Sequence, residues 1–119
     1  MSRQKRPTLA IAGASGFVGQ TIIKLLANRF HIIGLSRTER EPGSNGVSEW
    51  RRCDLFCMTD VEEALDGVDY AVYLVHSMMP RDRLTQGSFA DLDVLLADNF
   101  TRAARRCSVK QIVYLGGII

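Results

Sequence analysis

The sequence predicts an α/β protein in which helices cover both faces of an open, doubly wound parallel sheet, with strand order 3-2-1-4-5. Three observations carry this. Apolar runs of four to six residues alternate with longer segments of helical spacing, the first run ends in a glycine-rich turn, and no internal repeat or low-complexity tract breaks the alternation. With 119 residues, 46% of them hydrophobic, the chain makes one small domain with a modest core.

The first run, Thr8 to Ala12 (TLAIA), is short, continuous and bounded by Pro7 and Gly13, as a strand buried on both faces requires. After the glycines, Val18, Ile22, Leu25 and Leu26 mark one face of a helix ending near Asn28. A second strand follows in HIIGL, Ile32 to Leu35, and then a loop, Arg37 to Gly46, rich in charge, Pro, Gly, Ser and Asn. VSEWRRCDL, around Trp50, reads as a third strand whose arginines interrupt the apolar pattern. Thr59 and Glu62 have capping-box spacing, so a short helix starts there and stops at Gly67. YAVYLV, Tyr70 to Val75, is the clearest buried strand, and a long connection follows it. From Ser88 onward Phe89, Leu92, Leu96, Phe100, Ala103 and Cys107 recur at three- and four-residue intervals, marking a long amphipathic helix. The last strand is Gln111 to Leu115. The strand order follows from the glycine turn, which belongs where the order reverses.

Lys and Arg number 15 against 13 Asp and Glu, and a net charge of +2 gives no footprint for nucleic acid or for an anionic membrane. The basic lead MSRQKRPT precedes an apolar run too short for a secretory segment or a membrane span. Three cysteines, Cys53, Cys57 and Cys107, without CxxC spacing argue against a disulfide framework or a zinc site and for buried thiols. The expectation is a soluble cytoplasmic protein.

AGASGFVG, residues 12 to 19, is the stretch that carries chemistry. A strand ending in a tight glycine turn at a helix N-terminus gathers unpaired N–H groups and the positive end of a helix dipole, which suits phosphate. Gly13 allows the turn, Gly16 lets the backbone approach a pyrophosphate, and Gly19 lets the helix pack closely. The stretch therefore predicts a Rossmann-type dinucleotide site; glycines that only relieve a strained turn are the alternative. At the end of the second strand, where a carboxylate would grip a ribose 2′-hydroxyl, Ser36 and Arg37 stand instead. A guanidinium there suits a 2′-phosphate, with Arg40 assisting, so NADP is favoured over NAD; a solvated loop cation is the plainer reading of Arg37. Asp54, followed by Leu55, would set a carboxylate beside the adenine amino group or close an Asx-turn, and spacing leaves both open. His76 falls on the carboxyl edge of the sheet, where it lines a cofactor or supports structure; no partner acid makes it catalytic. Met78 and Met79 contact ligand or fill a gap, and Arg102, Arg105 and Arg106 form a solvated helix face.

GASGFVG after the first strand, Arg37 after the second, Asp54-Leu55 after the third and YLVHSM at the fourth together resemble the atypical or extended short-chain dehydrogenase/reductase family, within it the NmrA-like NAD(P)-binding proteins. The resemblance runs from Thr8 to Gly117. It implies that Gly13, Ser15, Gly16, Phe17 and Val18 surround the pyrophosphate, that Arg37 binds the adenosine phosphate, that Asp54 and Leu55 flank adenine, and that Leu74, Val75 and His76 line the ribose or nicotinamide. It also implies that Asn99 ties helix to sheet.

The departures shape the functional expectation. Gly116-Gly117 stands where active members carry a serine, and Tyr70, Tyr73 and Tyr114 are followed four residues on by Leu74, Ser77 and Ile118, never by the lysine of a YxxxK pair. The chain is therefore expected to be an N-terminal half, incomplete at its C-terminus. Three functions fit: an oxidoreductase or epimerase-like enzyme whose catalytic half lies elsewhere, a non-catalytic NADP(H)-binding redox sensor that acts on a protein partner, or a nucleotide-free α/β module. The small-molecule substrate or regulatory partner is not legible. The edge of the fifth strand predicts self-association into a homo-oligomer.

Overall fold

The computed structural model describes residues 6–14, 16–37, 46–74 and 86–115, the last with side chains from residue 94 onward. Five parallel strands, β1 (Thr8–Ala12), β2 (His31–Ser36), β3 (Glu49–Arg52), β4 (Tyr70–Tyr73) and β5 (Gln111–Tyr114), lie in the order β3-β2-β1-β4-β5. The helices are α1 (Phe17–Leu26), α2 (Met58–Ala64) and α3 (Gln86–Arg106). Fold class and strand order are those expected.

Alternation along the central strands feeds two cores. Leu9, Ile11, Ile32 and Val72 pack with Ile23 of α1 on one face of the sheet. Ala10, Ala12, Ile33, Leu35, Ala71 and Tyr73 face α2 and α3 on the other, against Val61, Leu65, Phe100 and Ala103. Among the described residues the α1 face has no helix between β2 and β3. Trp50 helps close it: a Cβ on Gly34 would meet the Trp50 ring at 2.5 Å, so the indole lies directly on the β2 backbone.

Several local expectations are corrected. The buried stripe of α1 runs through Gly19 and Ile23; of the expected face Ile22 and Leu26 pack beside it, while Val18 is 46% and Leu25 72% exposed. A stripe centred on a glycine escapes any count of apolar side chains. Thr59 does not cap α2: the helix starts at Met58 with Cys57 at the N-cap, directly after a turn closed by Cys57 N–H to the Asp54 carbonyl (2.9 Å). It ends at Ala64, and Gly67 takes the positive φ of the turn beyond. β4 stops at Tyr73, although the Leu74 N–H still bonds the Ala12 carbonyl at 2.9 Å, and α3 begins at Gln86. Leu96, Phe100 and Ala103 form the buried stripe of α3 as expected, while Phe89 and Leu92 lie outside the described side chains. Among the thiols only Cys53 is buried; Cys57 is exposed and Cys107 half-buried.

The arginines that blurred β3 have partners. Arg51 Nε donates to Glu49 Oε2 at 2.8 Å, and its Nη1 reaches the carbonyls of Ala64 and Asp66, both at 2.9 Å. One guanidinium thus satisfies the last carbonyl of α2 and one in the turn beyond it. Between α2 and α3, Arg106 pairs with Glu62, and Cys107 Sγ donates to the Glu62 carbonyl.

Candidate functional site

Parallel pairing brings the carboxyl ends of all five strands to one edge of the sheet. β1 lies between β2 and β4, so the glycine turn opens at the point where strand order reverses, with the exits of β2 and β4 on either side. Gly13, Gly16, Phe17 and Val18 leave β1 there; Arg37 follows β2, Asp54 and Leu55 follow β3, and Leu74 follows β4. Ser15, Val75 and His76 lie outside the described residues, as do Arg40, Met78, Met79 and Gly116-Gly117.

Two glycines are dictated by protein atoms. Gly13 has φ +97°, and a Cβ on it would lie 2.9 Å from the Leu74 Cβ, so the turn folds tightly against the end of β4. On Gly19 a Cβ would lie 2.5 Å from the Gly13 carbonyl oxygen and 2.8 Å from Ala14 Cα, so the first turn of α1 rests on the backbone of the glycine turn itself. Gly16 is different. It is exposed, its φ is −79°, and a Cβ there would make only an ordinary 3.6 Å contact with the Gly13 carbonyl. No atom of the described residues demands a glycine at that position, whereas a ligand approaching the backbone would.

Gly16 is the N-cap of α1, and among the described residues no side chain caps the helix and no acidic residue lies in its first turn. The Gly16 N–H is used by the Gly13 carbonyl (3.2 Å), and the first helical bond runs from Gln20 N–H to the Gly16 carbonyl (2.9 Å). The amides of Phe17 and Val18 remain free among the described residues, on a helix end with Phe17 87% exposed. Such an end attracts an anion. Gln20, which the sequence did not mark, braces the turn by donating from Nε2 to the Ala14 carbonyl at 3.1 Å.

Beyond β3, Asp54 Oδ1 accepts the Phe56 N–H at 3.0 Å, which is the Asx-turn expected as one alternative. That bond occupies one carboxylate oxygen only. Asp60, also unmarked in the sequence, accepts the Asp54 N–H through Oδ2 at 3.2 Å. What stays open is a matched pair: the other Asp54 carboxylate oxygen and the Leu55 N–H, neither with a partner among the described residues. An acceptor beside a donor complements the amino group and N1 of adenine. Nearby, burial, reinforced by the charges of Asp60 and Asp54, pushes the Cys53 thiol up to about 12, leaving it a neutral packing group. Arg37 is exposed at the exit of β2.

Among the described residues no cluster of His, Cys, Asp or Glu could hold a metal ion, and no helix is long and apolar enough to cross a membrane. An apolar depression of about 390 Å³ between Leu26, Phe30, Tyr70 and Val113 lies at the opposite, amino end of the strands, away from the glycine turn.

The sequence pattern of the NAD dependent epimerase/dehydratase family matches residues 9–117. The auxiliary protein GraX of Staphylococcus aureus (strain NCTC 8325 / PS 47) is 29% identical over 113 residues, which are 94% of this chain and 37% of GraX. The UDP-N-acetylglucosamine 4-epimerase from Bacillus cereus superposes with a TM-score of 0.72 at 25% identity, over 91% of this chain and 38% of its own. The Citrobacter sp. triphenylmethane reductase complexed with NADP(H) superposes with a TM-score of 0.67 at 26% identity, over 90% of this chain and 36% of its own. The chain thus spans little more than a third of the length of these relatives.

Proposed function

This chain belongs to the NAD dependent epimerase/dehydratase family, and on that premise we propose that it forms the dinucleotide-binding part of an oxidoreductase or epimerase and prefers NADP to NAD. The observation that carries the binding site is Gly16: a helix start that, among the described residues, no side chain caps and no neighbour requires to be glycine. In this reading Gly13, Ser15, Gly16, Phe17 and Val18 surround the pyrophosphate. Asp54 and Leu55 read adenine with the open acceptor and donor described above, and Leu74, Val75 and His76 line the ribose or nicotinamide side. The preference for NADP rests on Arg37, whose guanidinium stands at the exit of β2 where an NAD site would present a carboxylate. The likeness to a reductase crystallised with NADP(H) supports it.

A nicotinamide held at this edge supplies hydride transfer. The residues of this chain bind and orient the dinucleotide. Tyr73 is buried between Phe100 and Tyr114, Tyr70 sits at the amino end of β4, and the Tyr114 hydroxyl donates to the Ala97 carbonyl. None of these is an open base at the carboxyl edge. A second reading, favoured by the likeness to GraX, which is named an auxiliary protein, is a non-catalytic NADP(H) sensor of the NmrA-like type acting on a protein partner in the cytoplasm. The uncharged edge of β5, with Val113, Tyr114 and Leu115 all exposed, makes self-association part of either reading. Calorimetric titration with NADPH and NADH tests the proposal. NADPH is expected to bind more tightly, and Arg37→Ala to remove that difference; heat with neither nucleotide would end it. NADPH oxidation by a longer chain, screened against candidate carbonyl substrates, separates enzyme from sensor.

A further inference from the structure

The turn after β3 is held from several sides, and one of its ties comes from far along the chain. The bond from the Phe56 N–H to Asp54 Oδ1, that from the Asp54 N–H to Asp60 Oδ2, and that from the Cys57 N–H to the Asp54 carbonyl are all made within residues 54–60. They shape the turn, and the bond from the Cys53 N–H to the Ser36 carbonyl at 2.7 Å with the packing of Leu55 on the core seats its near end. Asn99 of α3 adds the tie from the other side: its Nδ2 donates to the Leu55 carbonyl at 3.1 Å and reaches the Phe56 carbonyl at 3.4 Å, across more than forty residues of sequence. Asparagine inside a helix is less favourable than alanine, and its amide competes with the helix backbone, so its position within the 21 residues of α3 calls for a tertiary reason.

We infer that Asn99 is a positioning residue for nucleobase recognition: by gripping the Leu55 and Phe56 carbonyls it holds the Leu55 N–H and the free Asp54 carboxylate oxygen as one rigid donor–acceptor pair. This inference rests on the dinucleotide reading above and assigns its adenine specificity to a helix that does not itself carry the reading groups. A floating turn would still meet the base, but without fixed geometry it would lose the ability to tell an amino group from a carbonyl.

The test is discrimination between NADPH and its 6-oxo analogue, reduced nicotinamide hypoxanthine dinucleotide phosphate. In that analogue N1 carries a hydrogen and the exocyclic amine is a carbonyl, so both partners of the Leu55–Asp54 pair become mismatched. The natural sequence should bind NADPH about tenfold more tightly than the analogue, as one to two hydrogen bonds warrant. Asn99→Asp, which keeps the shape and removes the donor, should bring that ratio to within about threefold while affinity for the analogue barely moves. Asn99→Gln, which restores a donor, should recover part of the ratio. Amide exchange at Phe56 and Cys57, whose N–H groups are bonded within the turn, should quicken in Asn99→Asp and in Asn99→Ala in the free protein, giving a readout in whichever variant stays folded by its melting curve. An unchanged ratio in the variants would overturn the inference, and so would equal weakening of both nucleotides, which marks a merely structural tie. If the natural sequence binds both nucleotides equally, the dinucleotide reading survives and this inference falls; if it binds neither, both fall.

Discussion

Gly19 approaches Gly13 so closely that a β-carbon on Gly19 would sit 2.5 Å from the Gly13 carbonyl oxygen. The obstacle is backbone on both sides, so it cannot be relieved by a side chain swinging away. Gly19→Ala should therefore shift α1 or the turn, at a cost of about 1–3 kcal/mol in denaturant unfolding, and weaken nucleotide binding with it. Gly16→Ala has only an ordinary contact to make. It should cost about 1 kcal/mol or less through the helix cap, yet still reduce nucleotide affinity. Equal stability losses in the two variants would contradict this division between a packing glycine and a ligand-facing one.

Gly34→Ala tests the seat of the single tryptophan. A Cβ there would enter the Trp50 ring at 2.5 to 2.9 Å, so the indole must lift from β2. Its fluorescence emission should move to the red, and stability should fall by about 1–3 kcal/mol. Unchanged emission would mean that the ring does not close this part of the sheet.

Glu49 links the β3 edge to pH. The Arg51 hydrogen bond lowers its pKa below the ordinary glutamate value, partly opposed by burial and reinforced by the Arg51 charge and by His31 at 3.4 Å. A carboxyl depressed in the folded state stabilises the fold at pH values above its unfolded pKa, and this is lost as pH falls through the lower folded value. Glu49→Gln should lower the melting temperature slightly at neutral pH and flatten its acid decline below the ordinary glutamate range. The carboxylate is partly exposed, so the effect should stay below about 1 kcal/mol. A variant as pH-sensitive as the parent would refute the coupling.

The three thiols should react in order of exposure. Cys57, exposed at the start of α2, is expected to be modified first by a thiol reagent in the native protein. Cys107 should be slower, because burial, helped by the Asp66 and Glu62 charges, raises its pKa and its Sγ donates to the Glu62 carbonyl. Cys53, buried and pushed up to about 12, should react only on unfolding. Peptide mapping after timed labelling reads the order directly.

The uncharged edge of β5 predicts concentration-dependent association. Val113→Lys places a charge on an exposed apolar position of that edge and should shift size-exclusion elution toward monomer. An elution volume that is independent of concentration in the unmodified chain would remove this expectation.

Strand periodicity, the glycine turn and the strand order were legible in the sequence because each is local: alternation along a strand, and a turn that needs small residues where backbone meets backbone. That Arg37, Asp54 and Leu55 fall at strand exits follows from the same reading, since parallel strands bring their carboxyl ends to one edge. Tertiary structure alone decided the rest. The buried face of α1 was hidden because its stripe passes through Gly19, and the start of α2 because the turn closed by Asp54 and Asp60 outweighs the spacing of Thr59 and Glu62. Arg51 at the end of α2 and Asn99 at the turn after β3 join residues distant in sequence; the resemblance marked Asn99 as a tie from helix to sheet, but its partners, the Leu55 and Phe56 carbonyls, appear only in the fold. A hydrogen bond between such groups leaves no period in the chain. It exists only once the folded sheet has brought donor and acceptor together.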